Sequence, residues 1–197
     1  LRDLGAASPL RHVILRYFNV AGSDPQGRIG QSTPGATLLI KVACEAAVGK
    51  RNHVSIFGTD YPTPDGTGVR DYIHVDDLAS AIIACLRLPR LQQQTFTLDD
   101  GTPGGYDWDE MAAIAGRVWQ RKVRLVRLPG PLLDMLARAN LALSRVLTYA
   151  PMLTPGKLRE LRHPDWVVDN HEITAATGWQ PKIRLSEGLE ELRDSRP

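Results

Sequence analysis

The chain has little that would mark an unusual environment. Its 197 residues include only two cysteines, Cys44 and Cys85, and both stand among apolar neighbours in segments of helical pattern. This usage favours buried free thiols in a reducing compartment over a disulfide framework. No apolar run approaches the ~20 residues of a membrane-spanning helix, and the first residues carry no charged-then-apolar export signal. We therefore expect a cytoplasmic protein that has no membrane partner.

A charge excess and metal-ligand patterns are also scarce. Lys and Arg number 24 against 22 Asp and Glu, so charge alone does not favour a nucleic-acid partner. The basic stripe RKVRLVR (residues 121–127) is more typical of a solvated strand face than of a nucleic-acid surface. The five histidines show no metal-ligand spacing. The sequence therefore predicts no metal site and no nucleic-acid partner.

Predicted strands and helices alternate along the chain, which indicates an α/β fold. The near-continuous apolar run from His12 to Val20 is typical of a parallel strand that is covered on both faces. The helix that follows His74 is expected to begin at an aspartate cap. Further strands are predicted at residues 54–57, 94–100 and 122–128, and helices at residues 36–50, 74–88, 106–120, 131–147, 154–161 and 186–192. The apolar stripe of residues 132–147 favours a core-facing helix over one that lies on a membrane.

A long polar loop, FGTDYPTPDGTGVRDYIHVDDL (residues 57–78), interrupts this alternation. Loops of this length are usually functional unless they are disordered, and the proline and glycine residues predict a fixed excursion that ends at Arg70. An arginine in that position offers a planar fork of donors for a phosphate or carboxylate. The alternative is an ion pair with a neighbouring acid, Asp71, Asp76 or Asp77.

The order of several motifs resembles a known family. The segments LRYFNVAGSDP, EAAVGKR, SIFGTDYPTPDGTGVRDYIHVDDLA and FTLDDG are closely similar to the C-terminal half of UDP-glucose (UDP-galactose) 4-epimerases. These enzymes are extended short-chain dehydrogenases/reductases of the NAD-dependent epimerase/dehydratase family. The resemblance is continuous from Val13 to Leu86, and beyond Leu86 it rests on general features such as TGWQP and EGL.

The resemblance implies the C-terminal part of an NAD(P)-binding Rossmann-type fold, mainly the substrate-binding region with late strands of the parallel sheet. Residues 1–22 and 76–100 would supply the late Rossmann strands and a helix. Residues 23–75 and 101–197 would form the substrate-binding subdomain. The whole forms one incomplete domain in this interpretation, and a homodimer is possible for the complete protein.

The resemblance also implies site residues near the end of the first strand and of the long loop. Phe18 would lie near the nicotinamide of NAD, with a core aromatic as the alternative. Asn19 would hydrogen-bond a UDP-sugar, with loop capping as the alternative. Arg70 would hold the diphosphate, which explains why the loop returns an arginine to the sheet.

Further substrate contacts follow from the same resemblance. Ser55, Ile56 and Phe57 would line the uracil pocket, although Phe57 alone is also typical of a core residue. Leu38 stands where the family carries an Asn or His that meets the substrate, and leucine cannot make that hydrogen bond. Arg162 is the best substitute for a second basic contact to the diphosphate, with a surface ion pair as the alternative. The segment from Pro129 to Val146 is longer and more apolar than in the epimerases.

Two catalytic features of the family are missing from these residues. There is no glycine-rich turn between a strand and a helix of the kind that binds a pyrophosphate. None of the five tyrosines has a lysine at the fourth following position, so the Tyr-x-x-x-Lys pair that serves as base is absent. We therefore expect no catalytic residue in this chain, no activity of the chain alone, and doubtful NAD binding.

Three interpretations of function stay open at this stage. The chain can be part of a UDP-sugar 4-epimerase, or of a related enzyme acting on another nucleotide sugar. It can be a module that binds a nucleotide sugar without catalysis. It can also be a remnant with a packing role only.

Overall fold

A computed structural model of the protein describes residues 1–30, 38–59, 61–88, 94–151, 153–161, 163 and 165–194. The chain divides into two compact units. The first unit comprises Leu1–Pro34, Arg70–Gly105 and Val167–Pro197, and the second comprises Gly35–Val69 and Tyr106–Trp166. The second unit thus consists of two stretches, each of which interrupts the sequence of the first unit.

The regular elements alternate as the sequence predicts. The strands are β1 (Val13–Arg16), β2 (Val20–Ala21), β3 (Val54–Phe57), β4 (Val69–Arg70), β5 (Ile73–His74), β6 (Gln94–Thr97), β7 (Leu125–Leu128) and β8 (Asp165–Trp166). The helices are α1 (Arg2–Ala7), α2 (Leu39–Ala47), α3 (Val75–Leu86), α4 (Trp108–Val118), α5 (Gly130–Leu147), α6 (Pro155–Leu161), α7 (His171–Thr177) and α8 (Leu185–Asp194).

Parallel strand pairs form the frame of the first unit. Strand β1 pairs with β6 in register from Val13 opposite Gln94 to Arg16 opposite Thr97, and β2 pairs in parallel with β5. Since parallel neighbours need crossover connections, the intervening α3 follows from this arrangement. The core gathers β5, α3, β6 and α7 in one apolar cluster: Ile73, Leu78, Ala81, Cys85, Phe96, Leu98, Ile173 and Trp179. Burying each of the larger side chains contributes about 1.5–3 kcal/mol.

The first predicted strand is shorter and less covered than expected. Strand β1 ends at Arg16, and β2 begins only at Val20, because the carbonyl of Asn19 accepts a hydrogen bond from the N–H of Ile73 at 2.9 Å and redirects the chain. The side chains of β1 are half-buried or exposed. The prediction of a strand covered on both faces was therefore wrong for the described residues.

An open groove runs beside β1 and explains this exposure. The groove has a volume of about 590 Å³ and lies between β1 and α3. On the α3 side, Ile82 and Leu86 line the groove and are exposed. Apolar surface around β1 is therefore open to solvent.

The second unit is built on another parallel pair. Strand β3 pairs with β7 from Val54 opposite Leu125 to Phe57 opposite Leu128. Helix α2 ends at Ala47, two residues before Gly49, which has φ +82°, a conformation that glycine adopts at little cost. Residues 36 and 37 of that predicted helix lie outside the described residues. Leu133, Ala137 and Leu158 bring α5 and α6 into one small core.

Two helix predictions need correction. Helix α3 is capped by His74, whose Nδ1 accepts from the N–H of Asp76 at 3.3 Å, so the expected aspartate cap was wrong. Helix α7 was not predicted at all. Within the described ranges, no helix is long and apolar enough to cross a membrane.

Candidate functional site

The chain between β1 and β2 holds two of the predicted site residues. Phe18 and Asn19 are both half-buried. Nδ2 of Asn19 donates to the carbonyl oxygen of Asp71 at 2.8 Å, and this bond joins the turn after β1 to the turn after β4. The amide therefore has a structural partner on its nitrogen, whereas its oxygen has none within the described part of the chain.

Arg70 ends β4 with a half-buried side chain. Among the described residues its guanidinium forms no ion pair and donates no hydrogen bond. The nearby acids do not pair with it. Asp71 accepts from the N–H of Val168, Asp77 is buried, and Asp76 is exposed. The structural alternative for Arg70, an ion pair with one of these three acids, is not formed in this part of the protein.

The loop before Arg70 is fixed by its own hydrogen bonds. Asp65 accepts from the backbone N–H and from Oγ1 of Thr67, both at 2.7 Å. The N–H of Tyr61 donates to the carbonyl of Gly66 at 3.1 Å, and Gly66 has φ +74°. A Cβ at Gly66 would lie 2.6 Å from the carbonyl oxygen of Thr59, so the tight return requires glycine. The prediction of an ordered excursion is confirmed for these residues.

A second glycine allows the chain to pass close behind Arg70. Gly105 has φ +65°, and a Cβ there would lie 2.7 Å from Oδ1 of Asp71 and 3.1 Å from the carbonyl oxygen of Arg70. The neighbouring Gly104 has φ +78° with no atom within 4 Å of such a Cβ. Steric crowding therefore singles out Gly105.

The remaining predicted contacts lie in the second unit. Ile56 is buried within β3, Ser55 is half-buried, and Phe57 at the carboxyl end of the strand is 41% exposed. Among the described residues β3 pairs with β7 alone, so its other edge keeps free backbone groups there. Leu38 directly precedes α2 and is exposed. Arg162 lies outside the described residues.

Sequence reasoning missed a set of buried carboxylates in the first unit. Four aspartates, from the motifs RDY, VDD and LDDG, bind one C-terminal segment (residues 168–185) through its backbone or an amide side chain. Asp71 accepts from Val168 N–H, Asp99 from Asn170 Nδ2, Asp77 from Lys182 and Ile183 N–H, and Asp100 from Leu185 N–H. Acids that directly follow buried strands or enter a helix beside apolar residues are the signal that could have found them.

Burial has an electrostatic effect on one of these acids. Removal of Asp99 from water raises the pKa of its carboxyl, and the hydrogen bond from the N–H of Gly101 opposes the shift. The negative charge of the adjacent Asp100 raises the pKa further. The four carboxylates act as structural acceptors for the segment of residues 168–185.

The glycine-rich segment at residues 101–105 does not fit the diphosphate of NAD. The segment leads into α4, where the N–H groups of Asp109 and Glu110 already donate to Asp65 at 3.4 Å and to Asp107 at 2.7 Å. Asp109 and Glu110 add negative charge to that first turn. A pyrophosphate site needs free N–H donors and a positive helix end. The start of α4 therefore does not provide such a site. The described residues also contain no cluster of metal-ligating side chains.

Comparison with known proteins gives these elements a family. Residues 1–98 match the NAD dependent epimerase/dehydratase family model. Through these residues the chain belongs to the NAD-dependent epimerase/dehydratase family. The matched range contains β1 to β6 and includes both Asn19 and Arg70, so the resemblance inferred from the motifs is confirmed.

Members of the epimerase/dehydratase family share both sequence and fold with this chain. UDP-glucose 4-epimerase of Azospirillum brasilense is 68% identical over 91 residues, which cover 46% of this chain and 26% of that protein. The Rhizobium meliloti (strain 1021) enzyme is 44% identical over 121 residues, 61% of this chain and 37% of the relative. The structure of UDP-glucose-4-epimerase from Stenotrophomonas maltophila with bound NAD and formylated UDP-arabinopyranose superposes with a TM-score of 0.73 at 26% identity, covering 98% of this chain and 52% of that one.

These coverages limit what the similarity says about activity. The chain spans about half the length of the solved relative, and its matched segments span 26–37% of the two curated relatives. The similarity therefore establishes the α/β fold with parallel strands and the UDP-glucose 4-epimerase-like family. It does not establish the activity of the relatives for this chain.

Proposed function

We propose that this chain is the nucleotide-sugar-binding part of a UDP-sugar 4-epimerase-like protein that interconverts UDP-glucose and UDP-galactose. The observation that carries the proposal is the guanidinium of Arg70, which is half-buried and has no partner among the described residues. A half-buried arginine without a partner is costly unless an anion completes its hydrogen bonds. It stands within the family-matched residues, at the end of a loop that is ordered by its own contacts.

The other predicted residues have a chemistry that suits a UDP-sugar. Because Nδ2 of Asn19 is held by the carbonyl of Asp71, its Oδ1 is left to accept from a sugar hydroxyl. The backbone groups of Ser55 face the unpaired edge of β3 and suit the uracil amide, whereas those of Ile56 point towards β7. The exposed ring of Phe57 offers an apolar wall. Leu38 would replace one polar contact by an apolar one. For Phe18 beside the nicotinamide and Arg162 on the diphosphate, the family resemblance is the support.

We further propose that these residues bind the nucleotide sugar but do not convert it by themselves. Conversion in this family needs NAD and a basic tyrosine. The 197 residues contain no Tyr-x-x-x-Lys pair, and the segment at residues 101–105 does not suit a pyrophosphate. A coupled assay of the purified chain with NAD and UDP-galactose should show no turnover above background. Turnover by the chain alone would contradict this part of the proposal.

Titration calorimetry with UDP tests the role of Arg70. A charge-assisted arginine–phosphate fork contributes about 1.5–3 kcal/mol, so Arg70→Ala should weaken UDP binding by roughly 10- to 100-fold. Arg70→Lys should restore part of the affinity, since an ammonium cannot make the planar fork. Arg127→Ala is the matched control, because Arg127 is engaged with Asp109 on the surface and should leave the affinity unchanged.

Melting curves of the same variants distinguish binding from loop anchoring. Arg70→Ala should leave the melting temperature without ligand nearly unchanged, because no described contact is lost. An unchanged UDP affinity together with a lower melting temperature would make Arg70 a loop anchor. Absence of UDP binding by the unaltered chain would contradict the binding proposal itself.

A further inference from the structure

Helix α5 presents large apolar side chains on a face that its own chain leaves uncovered. Leu133 and Ala137 are buried and pack against Leu158 of α6, as a core-facing helix requires. A second set of large apolar side chains on the same helix is 40–62% exposed. We name this set the α5 apolar face: Leu132, Met135, Leu136, Leu143 and Leu147.

The α5 apolar face is bordered by positive charge. At about 100° per residue, its side chains span an arc of roughly 120° around the helix. The two arginines of α5, Arg138 and Arg145, are exposed and lie in a narrow sector beyond one edge of that arc. An arginine in this position can lay its stem along apolar surface and extend its guanidinium to a polar boundary. Helix α5 thus offers apolar and cationic groups side by side to the solvent.

The chain on both sides of α5 is strongly basic. Residues 117–159 hold nine of the 24 Lys and Arg, but only one of the 22 Asp and Glu, Asp134. All nine basic side chains are exposed, and they stand on or between α4, β7, α5 and α6 of the second unit. Arg127 is paired with Asp109. The remaining basic residues still give this stretch a large positive excess in a chain whose net charge is only +2.

Together, the exposed leucines and the basic residues fit one kind of partner. Helices that lie in the interface of a bilayer place their apolar face about 5–10 Å deep, while Lys and Arg attract anionic headgroups. A nucleic acid would use the positive charges but would leave the leucines in water. We propose that α5 lies on the surface of an anionic phospholipid bilayer, with the α5 apolar face at the headgroup boundary.

This mode of binding agrees with the packing of α5. The buried face of the helix stays against α6, so α5 rests on the bilayer and does not cross it. The expectation of no membrane partner came from the lack of a long apolar run, and surface binding needs no such run. The proposal is also independent of UDP binding, because none of the residues proposed to bind UDP lies on α5.

Co-sedimentation of the whole 197-residue chain with vesicles tests the proposal. The chain should bind equimolar phosphatidylcholine–phosphatidylglycerol vesicles at least about tenfold more tightly than phosphatidylcholine vesicles, because each basic residue near the surface adds to the attraction. At about 1 M salt the screening length falls to about 3 Å, so this preference should be lost. Equal binding to both kinds of vesicle at low salt, or binding to neither, would overturn the proposal.

Leu136→Glu tests the apolar contribution. This variant should bind the mixed vesicles at least about tenfold more weakly, because it replaces an apolar contact with a charge at the lipid boundary. Ile83→Glu is the matched control, since Ile83 is 48% exposed against 46% for Leu136 but lies on α3, and its binding should be unchanged. Melting curves should show both variants folded. Vesicle binding that is kept in Leu136→Glu, or lost equally in both variants, would overturn the proposal.

The paired substitution of Arg138 and Arg145 by alanine tests the cationic contribution. It should weaken binding to the mixed vesicles several-fold and leave the weaker binding to phosphatidylcholine unchanged. A DNA duplex at the same phosphate concentration is the competing anionic surface. Binding of the unaltered chain to the duplex more tightly than to the mixed vesicles would assign the basic residues to a nucleic acid and overturn the proposal.

Fluorescence tests the placement of the helix directly. Leu143→Trp should emit at a shorter wavelength on mixed vesicles and should be quenched by lipids that carry bromine on their acyl chains. Ile83→Trp should show neither effect. The unaltered chain, which has four tryptophans, gives the background signal. Equal quenching at positions 143 and 83 would overturn the proposed placement of α5.

Discussion

Asp77 offers a sharp test of the buried carboxylates. It lies in the first turn of α3 and is only 3% exposed. Its Oδ2 accepts from the N–H of Lys182 at 2.9 Å and of Ile183 at 2.8 Å. Asp77→Ala would remove both bonds and leave two backbone donors more than 100 positions away without their acceptor. We expect this variant to lose much of the stability of the first unit.

The expected loss can be worked out from these contacts. A hydrogen bond to a charged acceptor contributes about 1.5–3 kcal/mol, and two would give up to about 6 kcal/mol. Water can partly replace the carboxylate because Lys182 is exposed, so we expect Asp77→Ala to cost about 2–4 kcal/mol. Asp77→Asn should cost less, since an amide oxygen can still accept both bonds without the charge.

Asp76→Ala is the matched control for this prediction. Asp76 stands in the same helical turn but is exposed, so its loss removes only the favourable interaction with the helix dipole, about 0.3–1 kcal/mol. Urea unfolding gives the stability of each variant. Amide exchange of a peptide that covers residues 180–186 shows whether that segment opens first. Equal losses for Asp77→Ala and Asp76→Ala, or unchanged exchange at Lys182 and Ile183, would refute the reasoning.

Two further substitutions test the surroundings of the candidate site. Gly105→Ala should lower the unfolding midpoint clearly more than Gly104→Ala, because both glycines have positive φ but only a Cβ at Gly105 meets Asp71; equal midpoints would contradict the steric argument. Burial raises the pKa of Asp99, so this group favours the folded state most below its unfolded pKa, and that contribution is lost as the pH rises through the raised value. Asp99→Asn, which keeps an oxygen acceptor for Asn170, should therefore raise the melting temperature near pH 7, and the gain should vanish by about pH 4. A loss of melting temperature in Asp99→Asn that is the same at every pH would contradict this prediction.

Elements with strong local signals were predicted well from the sequence. Strand β3 has the predicted bounds, because an apolar β-branched run between polar turns leaves few alternatives. Helix α2 ends within three residues of its predicted bound, because Gly49 adopts the left-handed conformation that follows a helix end. The break between β1 and β2 was not predictable from local pattern, since it depends on a bond between Asn19 and Ile73 across 54 positions. Helix α7 is short and has no side-chain hydrogen bond at its N-cap, so its sequence gives little signal.

For the candidate site, the sequence names residues but cannot give their electrostatics. Family resemblance favoured an anion-binding role for Arg70, whereas chemistry alone favoured an ion pair with one of its three acidic neighbours. The outcome depends on where Asp71 and Asp77 direct their oxygens, and both point to backbone donors in the segment of residues 168–185. Long-range partners of this kind are fixed by tertiary structure alone.

The ties between the four aspartates and that last segment also set an order of events during synthesis. The first unit is assembled from three separate stretches of chain, so its early strands must wait while the whole second unit is made. At about 5–20 residues per second, the 80 residues between Gly105 and Leu185 take on the order of ten seconds. During that interval Asp71, Asp77, Asp99 and Asp100 lack the donors that residues 168–185 supply. These polar contacts of the first unit can therefore form only after residues 168–185 have been synthesised.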